Sequence, residues 1–316
     1  MARTKTKTAA VVALDAPEVH TETIGDLQRE AILFSLKIGQ WRIRKNAEQA
    51  KVETTAQRRL VNVRKRILDS DEYRAIAKED TAAREFVLRQ SVPSPLGRGV
   101  YLLPIELVKG TMDWLKGYQA RRATVIEAFL AVYPAQHEEM RATLGDLYDP
   151  DDYPDPDEVR DKFWVSTMMM ELSAPTALKG ISGVLYEEEV QRIRNVWDET
   201  RETISAALYS EMAELVGTLA ERLQTKPGEK EQVIRGSVVE KFQEWCDLFS
   251  ARNLSRDGRL EALVDRGRAI VSGLEVGTIR DSKTLRKELA TEFGALRNEL
   301  TAAIGARPTR KIRLDE

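Results

Sequence analysis

Cysteine is nearly absent from this chain of 316 residues: Cys246 stands alone. One thiol excludes an internal disulfide and any cysteine-based zinc site, and it fits a reducing compartment, so a cytoplasmic location is expected. Set between Trp245 and Asp247 in an apolar run, it reads as a buried core thiol. Histidine is almost as scarce. His20 falls in the N-terminal tail and His137 lies just after Pro134, so neither is placed for a triad or a two-histidine metal site, and His137 is expected as a surface histidine on a helical turn. Aromatic residues make up only 6% of the chain, while 32% of residues are charged. Sheet-based cores want aromatic and β-branched residues, whereas solvated helix faces absorb charge, so the balance predicts a mostly α protein. Apolar runs of the ~18–20 residues that a membrane span needs are missing. The patch Ala9–Leu14 is too short for a secretory signal and stops at Asp15. The phosphate-cradling pattern GxxxxGKS/T does not occur, and "GISG" and "GLEVGT" lack the strand that such a loop follows. No cofactor and no enzymatic activity are expected.

What the sequence does have is helical periodicity. Residues 1–23 read as a disordered tail, 24–304 as one elongated domain with halves 24–180 and 181–304, and 305–316 as a second tail. In "ILFSLKI", Phe34, Leu36 and Ile38 alternate with Ser35 and Lys37, which predicts a short strand. "FWVSTMMMEL", from Phe163 to Leu172, is expected to pair with it as a two-stranded antiparallel ribbon. Met168, Met169 and Met170 cannot all face one partner, so core filling is expected there. After Trp41, Gly and Pro vanish until Pro93, predicting one long helix or two in line, broken near Asp69–Tyr73. "SVPSPLGRGVYLLP" reads as a turn-rich connection. Its glycines and Arg98 suggest an anion nest less strongly than loop punctuation. A helix follows from Ile105, with its end marked by Pro134.

The clearest helix runs through "VLYEEEVQRIRNVWDETRETISAALYSEMAELVGTLAERLQ". Ile193, Trp197, Thr200, Ile204, Leu208, Met212, Leu215, Leu219 and Leu223 recur at spacings of three and four. Leu208, Met212, Leu215 and Leu219 are expected inside. A helix of this length extends roughly 60 Å and calls for an equally long partner. "TKPGEK" then reverses the chain, and helices are predicted over Val233–Phe249, Leu260–Val271 and Asp281–Ile304. The expected architecture is an elongated antiparallel coiled-coil body with a small two-stranded β-ribbon near one end.

"DLYDPDDYPDPDEVRDKFW", from Asp146 to Trp164, looks most like a site. A calcium loop of the EF-hand kind wants oxygen ligands at positions 1, 3 and 5, Gly at 6 and Glu at 12. Started at Asp149, the frame puts Tyr153 and Pro154 at 5 and 6; started at Asp151, it puts Tyr153 at 3, Pro156 at 6 and Lys162 at 12. No cage assembles. A helix start explains the text better, with Asp155 as N-cap, Pro156 at the first helical position and Glu158 completing an acidic capping box. A weak cation at Asp149, Asp151 and Asp152, and with it a divalent-ion hydrolase, is the remaining alternative.

Charge is balanced overall, 49 basic against 51 acidic residues, but not locally. Lys37–Leu68 holds ten basic residues against Glu48 and Glu53, and Glu138–Asp161 holds ten acids against Arg141 and Arg160. Arg44, Lys51, Arg58 and Lys65 recur every seven residues, one stripe if the segment is helical. Such a stripe could follow the phosphates of a duplex. A solvated flank, or a mate for the acidic segment of this or another subunit, explains it more simply. No aromatic residue lies between Trp41 and Tyr73 to stack single-stranded bases.

The segments "SVPSPLGRGVYLLPIELV", "AVYP", "YPDPDEVRDKF" and "VIRGSVVEKFQEWCDLFSARNLSRDGRLEALVDRGRAIVSGL" resemble landmarks of an uncharacterised family of long helical proteins. Its members come from bacteriophages and prokaryotic mobile elements. The resemblance spans Ile32 to the C-terminus and carries no catalytic residue. It implies a genomic setting beside a MoxR-like or cobaltochelatase-like AAA+ ATPase and a von Willebrand A-type protein, hence an adaptor role, in host cytoplasm where phage-encoded. The function expected is that of a non-enzymatic interaction or scaffold protein, binding a protein partner or itself through long helices. Double-stranded nucleic-acid binding by Arg44, Lys51, Arg58 and Lys65 is the alternative.

Overall fold

The computed structural model describes residues 26–47, 60–224, 236–273 and 276–305. The N-terminal tail with His20, residues 306–316 of the C-terminal tail and the reversal over 225–230 lie outside them. A short helix α1, Asp26–Glu30, runs directly into strand β1, Ala31–Ile38. As the period-two text predicts, β1 pairs antiparallel with a strand from "FWVSTMMMEL", residues Val165–Met170, in register from Leu33 opposite Met170 to Ile38 opposite Val165.

The pair is not an isolated ribbon. Tyr101–Pro104 pairs with the other edge of β1, Ala31 opposite Pro104, and Val92–Pro93 pairs with Tyr101–Pro104. With ribbon strands β2, Arg44–Asn46, and β3, Arg64–Arg66, these become β4 (Val92–Pro93), β5 (Tyr101–Pro104) and β6 (Val165–Met170), and the sheet order is β4-β5-β1-β6. The expected turn-rich connection therefore hides two strands. Its prolines are tolerated because Pro93 sits on an edge strand and Pro104 ends β5, while Gly97 and Gly99, at φ 75° and 85°, carry the reversal between them.

Helices cover both faces of this sheet. On one side Phe34 and Leu103 pack with Ala83 and Val87 of α2, Asp71–Gln90, and with Leu115 and Tyr118 of α3, Ile105–Leu144. On the other, Ala31, Leu33, Val92 and Leu102 pack in the same core as Trp197, Leu208 and Met212 of the long C-terminal helix. Leu33 and Phe34, adjacent in sequence, are consequently both buried. α2 opens on Ser70, whose Oγ accepts from the Tyr73 backbone N–H at 3.1 Å. α3 continues ten residues past Pro134, which does not end it. Proline removes one donor and disfavours helix at the residue before it, yet packing of Phe129, Leu130 and Tyr133 holds the turn together.

The small helix α4, Pro156–Asp161, starts on Asp155 with Pro156 in its first turn. The expected capping box is incomplete, since the Asp155 side chain makes no cap hydrogen bond. Helix α5, Gly183–Leu223, carries the predicted seam: Ile193, Trp197, Thr200, Ile204, Leu208, Met212, Leu219 and Leu223 are buried and Leu215 is half-buried. It is not matched by one rod of equal length. α6 (Gly236–Arg252), α7 (Gly258–Val271), the short α8 (Val276–Asp281) and α9 (Lys283–Gly305) close over it, with Phe242 of α6 edge-to-face on Phe293 of α9 at 5.9 Å. The body is thus layered, helices on a four-stranded sheet, where a simple coiled coil is expected. Cys246 is buried in this core, and burial pushes its thiol up to about 12, well away from reactivity at neutral pH. Among the described residues no helix is long and apolar enough to cross a membrane.

Candidate functional site

The basic segment is where expectation and structure part most sharply. Residues 44–46 and 64–66 are strands, and α2 begins only at Asp71. Arg44 pairs with Arg66, Lys45 with Lys65 and Asn46 with Arg64. Flanking bonds lengthen the ladder, Ala47 N–H to Val63 O and Ile67 N–H to Ile43 O, each 2.9 Å. Among the described residues, Arg44 and Lys65, the two ends of the expected seven-residue stripe, lie on strands and not on a helix. Arg44 and Lys65 lie on opposite faces of a two-stranded ribbon, and Lys51 and Arg58 lie outside the described residues. The local cause is a period of two that charge conceals: Trp41, Ile43 and Lys45 on one strand and Val61, Val63, Lys65 and Ile67 on the other turn inward, with every residue between them exposed.

The inner face is anchored. Lys65, with 7% of its side chain exposed, places Nζ 2.7 Å from Asp152 Oδ2 and donates to the Leu147 carbonyl at 2.7 Å. Lys45 Nζ lies 3.9 Å from Asp152 Oδ1. Asp152 therefore serves as the mate of two ribbon lysines, the intramolecular form of the pairing considered for the acidic segment. Asp149 caps a short turn, accepting from the Asp151 N–H at 3.1 Å. Among the described residues no group of three or more acidic, histidine or cysteine side chains could hold a metal ion.

Below the ribbon, Trp41, Ile67 and Leu68 are buried with Phe129, Tyr133, Tyr153 and Val159. The Tyr153 hydroxyl donates to the Ile67 carbonyl at 2.6 Å, and the Tyr73 hydroxyl donates to the Trp41 carbonyl. Burial pushes the Tyr153 phenol up to about 12, so it remains a donor near neutrality. His137, expected at the surface, is half-buried here. It stacks on Tyr153 at 4.2 Å between ring centroids, and its Nε2 lies 2.7 Å from the Tyr148 hydroxyl.

The outer face carries Arg42, Arg44 and Asn46 on one strand and Asn62, Arg64 and Arg66 on the other, all exposed. Cations are thus sorted by type, lysines inward to a carboxylate and arginines outward to solvent. Asp69 approaches Arg66 at 3.4 Å and is shared with Arg74. Among the described residues no carboxylate lies within ion-pair distance of Arg42, Arg44 or Arg64. Like charges facing each other across a ladder repel, so Arg44 opposite Arg66 costs stability that an anion would return. Each guanidinium offers a planar fork of donors suited to phosphate or carboxylate oxygens. The expected stripe takes only Arg44 of this set, though Arg42, Arg64 and Arg66 belong to the same basic run; the alternation that exposes all six is legible in "WRIRKN" and "VNVRKRI".

Two further features are chemically quieter. A cleft of about 590 Å³ lies beside β6, lined by Gln28, Ile32, Met169, Leu172 and Trp197 among others. Met168 and Met169 on β6 are 54% and 42% exposed, which corrects their expected role as core filling. No family model, curated protein or solved structure matches the chain.

Proposed function

We propose that this chain is a non-enzymatic interaction and scaffold protein, whose helical body holds an arginine-rich ribbon out toward an anionic partner. One observation carries the reading: the ribbon's inner face is fixed to the body through Lys65 and Asp152, while its outer face presents Arg42, Arg44, Arg64 and Arg66 to solvent. Anchoring removes the ordering cost that a free basic arm would meet on binding. The whole molecule has a net charge of −2, so retention by a polyanion would come from a local face and not from overall charge.

The test is chromatography on heparin at low ionic strength. The native chain is expected to be retained and to elute with salt. Arg44→Gln with Arg64→Gln is expected to elute early while melting at the same temperature, because both residues are exposed. A native chain that flows through, or a double variant that elutes with it, refutes the reading. The AAA+ ATPase adaptor role implied by the family resemblance is a narrower form of the same proposal, in which an acidic patch of the ATPase meets the ribbon. Co-purification with such an ATPase, lost in the double variant, would support it.

A further inference from the structure

Resting on the reading above, we propose that the anionic partner is B-form duplex DNA and that the ribbon enters its major groove. The composition of the outer face is the first argument. Its six residues are Arg42, Arg44, Asn46, Asn62, Arg64 and Arg66, with no acid, no apolar side chain and no lysine. A surface that only gathers negative charge is served as well by lysine, yet both lysines of the ladder are turned inward onto Asp152. Arginine and asparagine are the side chains that bond two atoms at once on the major-groove edges of guanine and adenine, respectively. The ladder sets the two types side by side, Asn46 opposite Arg64, with Arg44 opposite Arg66 two residues along, beyond the Lys45–Lys65 pair.

Dimensions are the second argument. Two strands about 4.8 Å apart make a narrow ribbon, and the major groove of B-form DNA, roughly 12 Å wide, admits a two-stranded ribbon. Residues on one face recur every ~6.8 Å along each strand, so consecutive outer side chains reach base pairs about two steps apart at 3.4 Å per step. The guanidiniums toward the groove walls have phosphate oxygens in reach, and phosphate contact is what positions such an element.

The same chemistry separates the competitors. Double-stranded RNA has a major groove too deep and narrow for side chains to read. Single strands are bound on aromatic platforms, and the outer face has none. The chain as a whole has a sequence pI near 6.0, so a polyanion is drawn to the local arginine face and not to the molecule at large, which favours approach ribbon first.

The experiment is fluorescence anisotropy of the full-length chain with a short labelled DNA duplex, an RNA duplex of the same sequence and the single DNA strand, at two salt concentrations. The DNA duplex should bind, weaken with salt, and exceed both other ligands by about ten-fold or more. Arg44→Gln with Arg64→Gln should weaken binding by about ten-fold or more, since each two-point arginine contact discriminates by roughly 5- to 150-fold. Lys109→Gln with Arg259→Gln, the same charge loss far from the ribbon, should leave binding within about two-fold, as expected of sites that share no ligand contact. A competition on the native chain needs no variant: methyl green, which fills the major groove, should displace the chain, and netropsin, which fills the minor groove, should not. Equal affinity for RNA, displacement by netropsin alone, or full binding by the double variant overturns the proposal. A chain held by heparin through the same arginines that ignores DNA overturns it while leaving the interaction reading intact; failure on both ligands removes the two together.

Discussion

At the scale of single residues, the most consequential group is one that composition hides. Asp80 stands in "AKEDTAARE", a text that reads as a solvated helix face, yet it is fully buried. Its Oδ1 accepts from the Tyr118 hydroxyl and from Arg122 Nε, both at 2.6 Å, and its Oδ2 accepts from Gln40 Nε2 at 2.5 Å. Arg122 also donates to the Gly39 carbonyl at 2.7 Å, so the cluster ties α2 and α3 to the chain between β1 and the ribbon. Burial and the neighbouring carboxylate raise the Tyr118 phenol, which keeps it a donor. Removing the acid strands a buried guanidinium, whereas removing the hydroxyl deletes one bond and leaves the ion pair. Asp80→Ala should therefore cost about 3–5 kcal/mol and Tyr118→Phe only about 1.5–3 kcal/mol. Urea unfolding of the two variants checks this. Equal losses would mean that the ion pair contributes nothing beyond its hydrogen bonds.

At the scale of elements, legibility followed how much of a pattern lay in one uninterrupted stretch. The seam of α5 was readable because thirty residues repeat a helical period, and seven of its eight apolar members are buried. β1 and its pairing with β6 were readable from alternation and β-prone text. Three things were not. α3 runs past Pro134 because tertiary packing overrides a local breaker; β4 and β5 are too short to show a period; and the ribbon reads as helix because Arg, Lys, Gln and Ala favour helices and a seven-residue recurrence of charge mimics one face. In the ribbon the apolar inward residues, Ile43, Val61, Val63 and Ile67, were the signal to weigh, and the arginines that now form the candidate site were visible only through them.

Packing also decides the sign of one substitution at two places. A Cβ on Gly267 of α7 would stand 2.8 Å from Phe242 Cζ and 3.4 Å from Leu296 and Met212, whereas one on Gly294 of α9 would meet nothing within 4 Å. Gly294→Ala should stabilise by about 0.5–1 kcal/mol through helix propensity alone. Gly267→Ala gains the same term but overpacks a core in which Phe242 is fully buried, for a net loss of ~1 kcal/mol. Thermal melts of the two variants should move in opposite directions; a rise for Gly267→Ala would show that α6 and α7 have room to part.

At the scale of the whole molecule, the sheet is the shared wall. One of its faces completes the core of α2 and α3 and the other that of α5, α6, α7 and α9. Neither helical layer can leave without exposing apolar strand residues that the other still holds. A buried cation crosses the same boundary: Arg252 of α6, 2% exposed, donates from Nε to the Ser91 carbonyl at 3.1 Å and from Nη2 to Glu211 at 2.9 Å. Glu211 in turn accepts from Trp245 Nε1 at 2.7 Å. The sequence-based halves 24–180 and 181–304 should therefore unfold together, with the calorimetric enthalpy equal to the van't Hoff value. Arg252→Met keeps most of the packing but leaves the Ser91 carbonyl buried without this donor, so it should lower stability by about 1–3 kcal/mol and begin to separate the transition into two. Two resolved transitions in the native protein would instead show independent domains. The ribbon would then be fixed only to its own half, and a ligand bound there would raise the melting temperature of that half alone.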